Sequence, residues 1–214
     1  QNGIYGMDMY VVKTNINGDT MWTHTFENPG DDIANAVDLY EDSILVVAGN
    51  HFYADSSQAK GIIYKITDAG VLVDTLVFSD YAGDYELNDV LVTGDTIRAV
   101  GSQLSDPTGN WALAYYWCRT NSSGFYDLLL FREQLDGDWH ADVFTDYGDD
   151  NKLYEAHSFE NNVNTYPGGR DAMIQKGNEY MFWLASVQFL AMEEPDVNGQ
   201  IIRTNDGGAI HVGY

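Results

Sequence analysis

The chain has 214 residues, of which 44% are hydrophobic and 14% aromatic, and 33 acidic side chains against 10 basic ones give a net charge of −23. A chain this acidic is repelled by phosphate backbones and anionic membrane surfaces, which argues against nucleic-acid binding. No run of the sequence approaches the ~18 consecutive apolar residues of a membrane span, which argues against membrane insertion. The aromatic content, with 21 glycines and only 4 prolines, favours short strands joined by tight turns.

Four segments of the chain align on one template, and this repeat is the strongest signal in the sequence. Each segment has an apolar stretch that ends near a basic residue, then a turn, then a second stretch that ends in phenylalanine. The basic residue and the phenylalanine are Lys13 and Phe26, Lys65 and Phe78, Arg119 and Phe131, and Lys176 and Phe189. The two residues are 13 positions apart in the first, second and fourth copies and 12 apart in the third.

Smaller landmarks subdivide each copy. Gly18, Gly70 and Gly124 each lie five residues after the basic residue, and the pairs Asn17-Gly18 and Ala69-Gly70 predict turns with positive φ. A third stretch then leads to Val-Ala-Gly49 in the first copy, and the continuous apolar run 44–48 before this glycine predicts a strand that is buried on both faces. Each copy therefore predicts strand, turn, strand, acidic loop, strand, turn, strand.

The repeat predicts an all-β fold, because no segment keeps a helical period with caps at both ends. Basic landmarks recur every 52 to 57 residues, a period that fits a four-stranded blade. We therefore predict that residues 1–214 form a single β-propeller domain of four-stranded antiparallel blades. The repeats span approximately residues 8–50, 60–102, 111–160 and 170–214.

Two arrangements of these blades stay open, a closed four-bladed ring and a part of a larger propeller. Closure is favoured because an open array would leave sheet faces exposed. Gln1 falls in what reads as the middle of a loop, so we expect the chain to be a processed or excerpted piece of a longer protein.

Cys118 is the only cysteine, so no disulfide can form within the chain. It ends the apolar run 111–118, and a free cysteine in such a run behaves as a small hydrophobic residue. We predict that Cys118 is buried in the core.

The first copy has the most specific motif. It reads Lys13-Thr-Asn-x-x-Gly18-Asp-x-x-Trp22-x-x-x-Phe26, followed by Asp-Asp-x-Ala-x-x-Val and Val-Ala-Gly. This pattern resembles the repeat of secreted bacterial β-propellers, which is common in proteins exported through the type IX secretion route. Residues 203–214 resemble the closing half of the same repeat, and reading on from Tyr214 into Gln1 restores the junction between two blades. The resemblance implies a secreted or cell-surface protein.

The repeat also resembles, more distantly, the pyrroloquinoline-quinone-type propeller repeat. That resemblance implies that Trp22 and Trp183 are docking tryptophans. It implies no redox role, because scaffold proteins share the pattern with quinone enzymes.

Acidic residues recur in loops that the repeat places at equivalent or nearby positions. In a propeller such loops share one face, and carboxylate oxygens in number suit Ca²⁺. No complete Asp-x-Asp-x-Asp-Gly loop occurs, so solvated acidic loops remain the alternative. The predicted Ca²⁺ ligands are Asp31, Asp32, Asp84, Asp138 and Asp196.

Four triplets consist of aspartate, then serine or threonine, then an apolar residue. They resemble the O-glycosylation acceptor of the same secreting bacteria, which implies modification at Thr20, Ser43, Thr75 and Thr96. The alternative is ordinary hairpin chemistry, because an aspartate followed by a hydroxyl residue commonly opens a strand.

Catalytic motifs are absent from the sequence: there is no P-loop, no Gly-x-Ser-x-Gly and no His-Glu-x-x-His. We therefore predict an extracellular, non-catalytic binding or structural module that contacts a glycan, a protein or a surface assembly, including copies of itself. The alternative is a carbohydrate-active hydrolase that uses two carboxylates at the mouth of the propeller. No cofactor other than Ca²⁺ is predicted.

Overall fold

The computed structural model describes residues 6–26, 29–53, 59–78, 84–104, 111–133, 138–144, 152–160, 170–178, 183–189, 198–204, 206 and 209–213. Throughout these ranges the regular secondary structure is β-strand, without helix. The predicted all-β class is therefore confirmed. Every pairing between neighbouring strands in the described ranges is antiparallel, as expected for strands joined by short turns.

Within the described residues, each sequence repeat contributes four strands. The first repeat forms β1 (Met9–Thr14), β2 (Thr20–Phe26), β3 (Gly30–Tyr40) and β4 (Ile44–Tyr53). The second forms β5 (Ala59–Thr67), β6 (Leu72–Phe78), β7 (Tyr85–Thr93) and β8 (Thr96–Leu104). The third forms β9 (Trp111–Asn121), β10 (Gly124–Glu133), β11 (Asp138–Phe144) and β12 (Lys152–Glu160). The fourth forms β13 (Arg170–Asn178), β14 (Trp183–Phe189), β15 (Asn198–Arg203) and β16 (Ala209–Gly213).

The hydrogen-bonded sheets are out of phase with the sequence repeats. Three four-stranded meanders comprise β3 to β6, β7 to β10 and β11 to β14. Each meander takes the last two strands of one repeat and the first two strands of the next. In the described part of the chain, β1 pairs with β2 and β15 pairs with β16 as two-stranded sheets. Consecutive repeats are thus joined by the main-chain ladders between β4 and β5, β8 and β9, and β12 and β13.

The predicted turns form where glycine supplies positive φ. Gly18 (φ 86°) ends the turn between β1 and β2, and Gly70 (φ 82°) does the same between β5 and β6. An L-residue with a side chain is strained in this region, which is why the sequence places glycine there. In the first turn the side-chain oxygen of Asn15 also accepts hydrogen bonds from the amides of Asn17 and Asp19.

Apolar side chains fill the spaces on both sides of the meander from β3 to β6. One layer separates it from the β1–β2 hairpin and consists of Met9, Phe26, Val47, Ile62, Tyr64 and Ile66. The other layer separates it from the meander from β7 to β10 and includes Val46, Ala48, Ile63, Phe78, Tyr116 and Cys118. Alternate residues of β4 and β5 enter opposite layers, which confirms the predicted strand buried on both faces. The predicted burial of Cys118 is also confirmed.

The first strands of successive sheets pack on one another. Strand β3 contacts β7, β7 contacts β11, and β11 contacts β15. The last strands of the first two meanders, β6 and β10, are also in contact. The sheets therefore stack in chain order, and the first strand of each sheet takes part in the contact with the sheet before it.

Candidate functional site

The basic landmark of each of the first two repeats binds the turn of the next repeat. The Lys13 ammonium donates to the carboxylate of Asp68, with which it forms an ion pair, and lies 3.4 Å from the Asp68 carbonyl oxygen. The Lys65 ammonium donates to the hydroxyl of Thr120 and to the carbonyl oxygen of Asn121. The two contacts are separated by 52 residues, one period of the repeat, so the repeat spacing specifies a contact between successive sheets.

Lys65 is fully buried, and aromatic rings surround its ammonium group. The ammonium nitrogen lies 4.6 Å from the ring centroid of Tyr40 and 5.9 Å from that of Phe125, distances at which a cation is attracted to the ring face. Burial lowers the pKa of Lys65, while the negative charges of Asp74 and Glu41 act in the opposite direction. This lysine joins two sheets, and its buried ammonium is directed at protein acceptors.

Trp22 docks on the next repeat. Its indole nitrogen donates to the carbonyl oxygen of Asp68 at 2.8 Å, and its ring covers Gly70. In the fourth repeat the register position opposite the basic residue belongs to Ala185. Trp183 therefore does not hold the register position that Trp22 holds, and its docking stays a prediction because its side chain lies outside the described part.

The second repeat makes the same junction with a carboxylate. Asp74 lies opposite the basic residue of its repeat, as Trp22 does in the first. Its Oδ2 accepts a hydrogen bond of 2.9 Å from the amide of Phe125. It also lies so close to Gly124 that a Cβ added there would be 2.4 Å away. The position opposite the basic residue thus contacts the next repeat in both copies, through an indole in the first repeat and a carboxylate in the second.

Two of the predicted Ca²⁺ ligands bind main-chain amides. Oδ1 of Asp31 accepts a hydrogen bond of 2.7 Å from the amide of Met7, and Oδ1 of Asp84 accepts one of 2.8 Å from the amide of Ala59. Met7 and Ala59 are 52 residues apart, one period of the repeat. Each carboxylate therefore links two successive sheets. One is the sheet that contains the first strand of its repeat, and the other is the sheet that follows it in the stack.

The third predicted ligand, Asp32, is buried beside a histidine. Its Oδ1 lies 2.7 Å from Nδ1 of His51, and the imidazole meets the ring of Tyr53 edge-on at 4.5 Å between centroids. The amide of Asp32 donates to the carbonyl oxygen of Met7 at 2.6 Å. Asp32, His51 and Lys60 are cross-strand partners on β3, β4 and β5, and all three are buried. Together they form a polar row inside the protein.

The remaining predicted Ca²⁺ ligands lack a described side chain. Asp138 begins β11, with its side chain outside the described part, and Asp196 lies outside the described residues. Among the residues that the structure describes, no three histidine, cysteine, aspartate or glutamate side chains are grouped as metal ligands. The described carboxylates do not form a Ca²⁺ cage, and the five-residue set stays a prediction.

The predicted O-glycosylation positions differ in accessibility. Thr20, Ser43 and Thr75 are exposed, whereas Thr96 is half-buried and its hydroxyl donates to Asp95 at 3.2 Å. Three of the four hydroxyl groups can therefore be reached from solvent. Modification at these positions stays a prediction.

Other polar side chains that hold the sheets together were not predicted from the sequence. The side chain of Asn50 accepts a hydrogen bond of 2.7 Å from the amide of Leu87, and the side chain of Asn35 donates one of 2.6 Å to its carbonyl oxygen. Oδ2 of Asp38 accepts from the amide of Val92 at 2.7 Å. Asn50 directly follows the Val-Ala-Gly landmark, a position that could have marked it in the sequence.

No protein-family model matches the chain, and no curated protein matches it. None of the described residues belongs to a helix that is long and apolar enough to cross a membrane. The repeat and the contacts between its copies are therefore the basis on which a function is proposed.

Proposed function

We propose that the chain is a β-propeller unit that serves outside the cell as a non-catalytic binding or structural module. The observation that carries this proposal is the use of polar side chains for joining sheets. Asp31, Asp84 and Asp74 each accept a main-chain hydrogen bond from a neighbouring sheet, and Lys13 and Lys65 bind the turn of the next repeat. Groups engaged in this way are unsuited to acid–base catalysis, which needs a carboxyl group within reach of substrate.

The stacking of the sheets supports the propeller architecture. A propeller blade is a four-stranded antiparallel meander, and blades are arranged about a central axis. The three meanders have this strand order, and their first strands β3, β7 and β11 contact one another in succession. The β15–β16 hairpin corresponds to the first two strands of one further blade, and the β1–β2 hairpin corresponds to its last two strands.

We expect the surface of such a module to bind a ligand without catalysing a reaction on it. In binding proteins that are built on a rigid scaffold, the loops and turns generally carry the binding residues. A glycan or a protein at the cell surface is the proposed ligand class. The acidity of the chain and its resemblance to exported repeats support an extracellular location.

Hydrolysis of 4-nitrophenyl glycosides tests the non-catalytic assignment. We expect no release of nitrophenol above that of a heat-denatured sample across α- and β-linked hexosides, pentosides and hexosaminides. Turnover that is lost on Asp32→Asn or Asp84→Asn substitution would instead establish the carbohydrate-active hydrolase.

A glycan array read with Ca²⁺ and with EDTA tests the binding assignment. Saturable binding that EDTA leaves unchanged identifies a glycan-binding module that needs no metal. Binding that EDTA abolishes identifies a Ca²⁺-dependent one and supports the predicted ligand set. The absence of binding in both conditions excludes the glycans on the array and leaves a protein as the ligand class.

A further inference from the structure

The β1–β2 hairpin has one covered face and one open face. Met9 and Phe26 lie on the covered face, in the apolar layer shared with the meander from β3 to β6. On the open face the side chains of Tyr10 and Val12 remain 57% and 43% exposed, and Met21 on β2 is similarly exposed. Three large apolar side chains therefore face solvent together, and we call this surface the β1–β2 outer face.

The equivalent positions of the second repeat are buried. Ile62 and Tyr64, each 52 residues after Tyr10 and Val12, are only 4% and 3% exposed. In the third repeat the corresponding side chains of β9, including Tyr116, are buried as well. The face exists in the first three repeats, and a preceding sheet covers it in two of them.

The cover comes from a phenylalanine at a fixed register position. Phe26 stacks on Tyr64 with 4.0 Å between ring centroids, and Phe78 packs on Tyr116 with 4.2 Å. The chain contains another phenylalanine at this register position, Phe189, which lies opposite the fourth residue before the basic landmark as Phe26 and Phe78 do. The sheet that contains Phe189 therefore has the register of a covering sheet.

The strand edges are matched in the same way. In the described part of the chain β1 pairs with β2 alone and β16 with β15 alone. The strands equivalent to β1, which are β5 and β9, and those equivalent to β16, which are β4 and β8, pair on both sides. Thr14, Thr23 and Thr25 are also exposed on the outer face, so its described side chains are uncharged in a chain of net charge −23. An uncharged face allows contact between two acidic molecules without bringing like charges together.

We propose that the β1–β2 outer face binds a second copy of this chain, head to tail. The second copy contributes the sheet that contains Phe189 and the free edge of β16, and so continues the stacking that joins successive sheets within one chain. Because Tyr10 is exposed, none of the described residues of the chain's own fourth repeat covers this face. The proposal rests on the propeller-type stacking proposed above, and because the two surfaces differ, the copies associate head to tail and either close into a ring or continue as an open array.

Light scattering over a wide range of protein concentration provides the first test. We expect the average mass of the wild-type protein to rise with concentration, and the Val12→Lys variant to remain monomeric, because a lysine there would leave an unpaired charge in the contact. Val71→Lys is the matched control: Val71 is an exposed valine beyond the outer face, and its replacement should leave the mass curve unchanged. Circular dichroism and thermal unfolding of both variants check that the fold is retained.

Thiol labelling provides the second test. The only natural cysteine, Cys118, is buried, so a Tyr10→Cys variant presents one reactive thiol. We expect maleimide labelling at position 10 to be about tenfold slower at concentrations where the protein is associated, by mass action. A Val71→Cys control should react at the same rate throughout.

Three outcomes overturn this proposal. They are a wild-type mass that stays monomeric, association that Val12→Lys leaves unchanged, and slow labelling of Tyr10→Cys at every concentration, which would show that the chain covers the face itself. None of them bears on the non-catalytic assignment, which the glycoside assay tests separately.

Discussion

The indole of Trp22 lies so close to Gly70 that a Cβ atom added to the glycine would be 3.0 Å from Cδ2 of the ring. The two residues are 48 positions apart and belong to successive repeats. Gly70 also adopts φ 82°, so it meets two requirements at once: the turn needs positive φ, and the tryptophan needs the space. Gly18, at the equivalent turn of the first repeat, has φ 86° and open space around it.

The Gly70→Ala variant should lose more stability than the Gly18→Ala variant. Each substitution should lower the free energy of unfolding by about 1 kcal/mol, because it places a side chain in the left-handed region. Gly70→Ala should lose roughly 1–2 kcal/mol more, because the methyl group displaces the Trp22 ring from its contact. Urea unfolding of both variants and the wild type measures the difference. Equal losses would mean that the indole can shift without cost.

The Asp84→Ala variant should lower the free energy of unfolding by about 1–3 kcal/mol, because the amide of Ala59 then lacks its acceptor. The loss should be the same in Ca²⁺ and in EDTA, since the carboxylate acts on an amide. Asp8→Ala is the control, because Asp8 is an exposed aspartate for which the described part of the chain gives no hydrogen bond. Chemical denaturation in both buffers measures the effect, and a loss seen in Ca²⁺ alone would contradict the structural role.

The stability of the protein should fall above pH 9 through Cys118. Burial raises the pKa of this thiol to about 12 from 9.0, so above pH 9 the unfolded chain releases a proton that the folded chain retains. Between pH 9 and 10 this difference lowers the free energy of unfolding by about 1 kcal/mol. Comparing the wild type with Cys118→Ala at pH 8, 9 and 10 isolates this contribution. Parallel stability curves for the two proteins would refute it.

The Lys65→Met variant should be destabilised by about 1–3 kcal/mol at neutral pH, because Thr120 and Asn121 lose a buried donor. Lys13→Met is the matched control at the equivalent position. Its ion pair with Asp68 is partly exposed, so its loss should be smaller, at most about 1 kcal/mol. Guanidinium unfolding ranks the two, and a larger loss for Lys13→Met would contradict the assigned role of the buried lysine.

Lys65 also predicts an opposite response to pH. Burial lowers its pKa from the ordinary value of 10.5. At a pH between the lowered pKa and 10.5 the unfolded chain holds a proton that the folded chain has released, so this group makes stability rise with pH. The difference in unfolding free energy between the wild type and Lys65→Met should therefore widen over this range. A difference that stays constant with pH would show that the lysine keeps its ordinary pKa in the fold.

The features that the sequence alone could establish are those that depend on neighbouring residues in the chain. The strands follow from apolar and aromatic runs, and the turns at Gly18 and Gly70 follow from the need for positive φ. The burial of Cys118 followed from its apolar neighbours. These features depend on residues close together in the chain, so one sequence contains the information for them.

The phase of the sheets was decided only by the tertiary structure. A repeat of four strands has no intrinsic beginning, and the same pattern is compatible with a sheet that starts at β1 or at β3. Long-range main-chain hydrogen bonds make the choice by pairing β4 with β5. Because backbone groups are the same at every residue, the sequence does not mark where one sheet ends.

The roles of identical side chains were also decided by the tertiary structure. A carboxylate can bind a cation or an amide, and Asp31 binds an amide because the fold brings Met7 to 2.7 Å. Tyr10 and Ile62 hold equivalent apolar positions, yet Ile62 is buried in the layer between two sheets whereas Tyr10 is exposed. Composition and spacing determine which strands form and which face of each is apolar, whereas the groups that meet a given side chain depend on how distant strands pack.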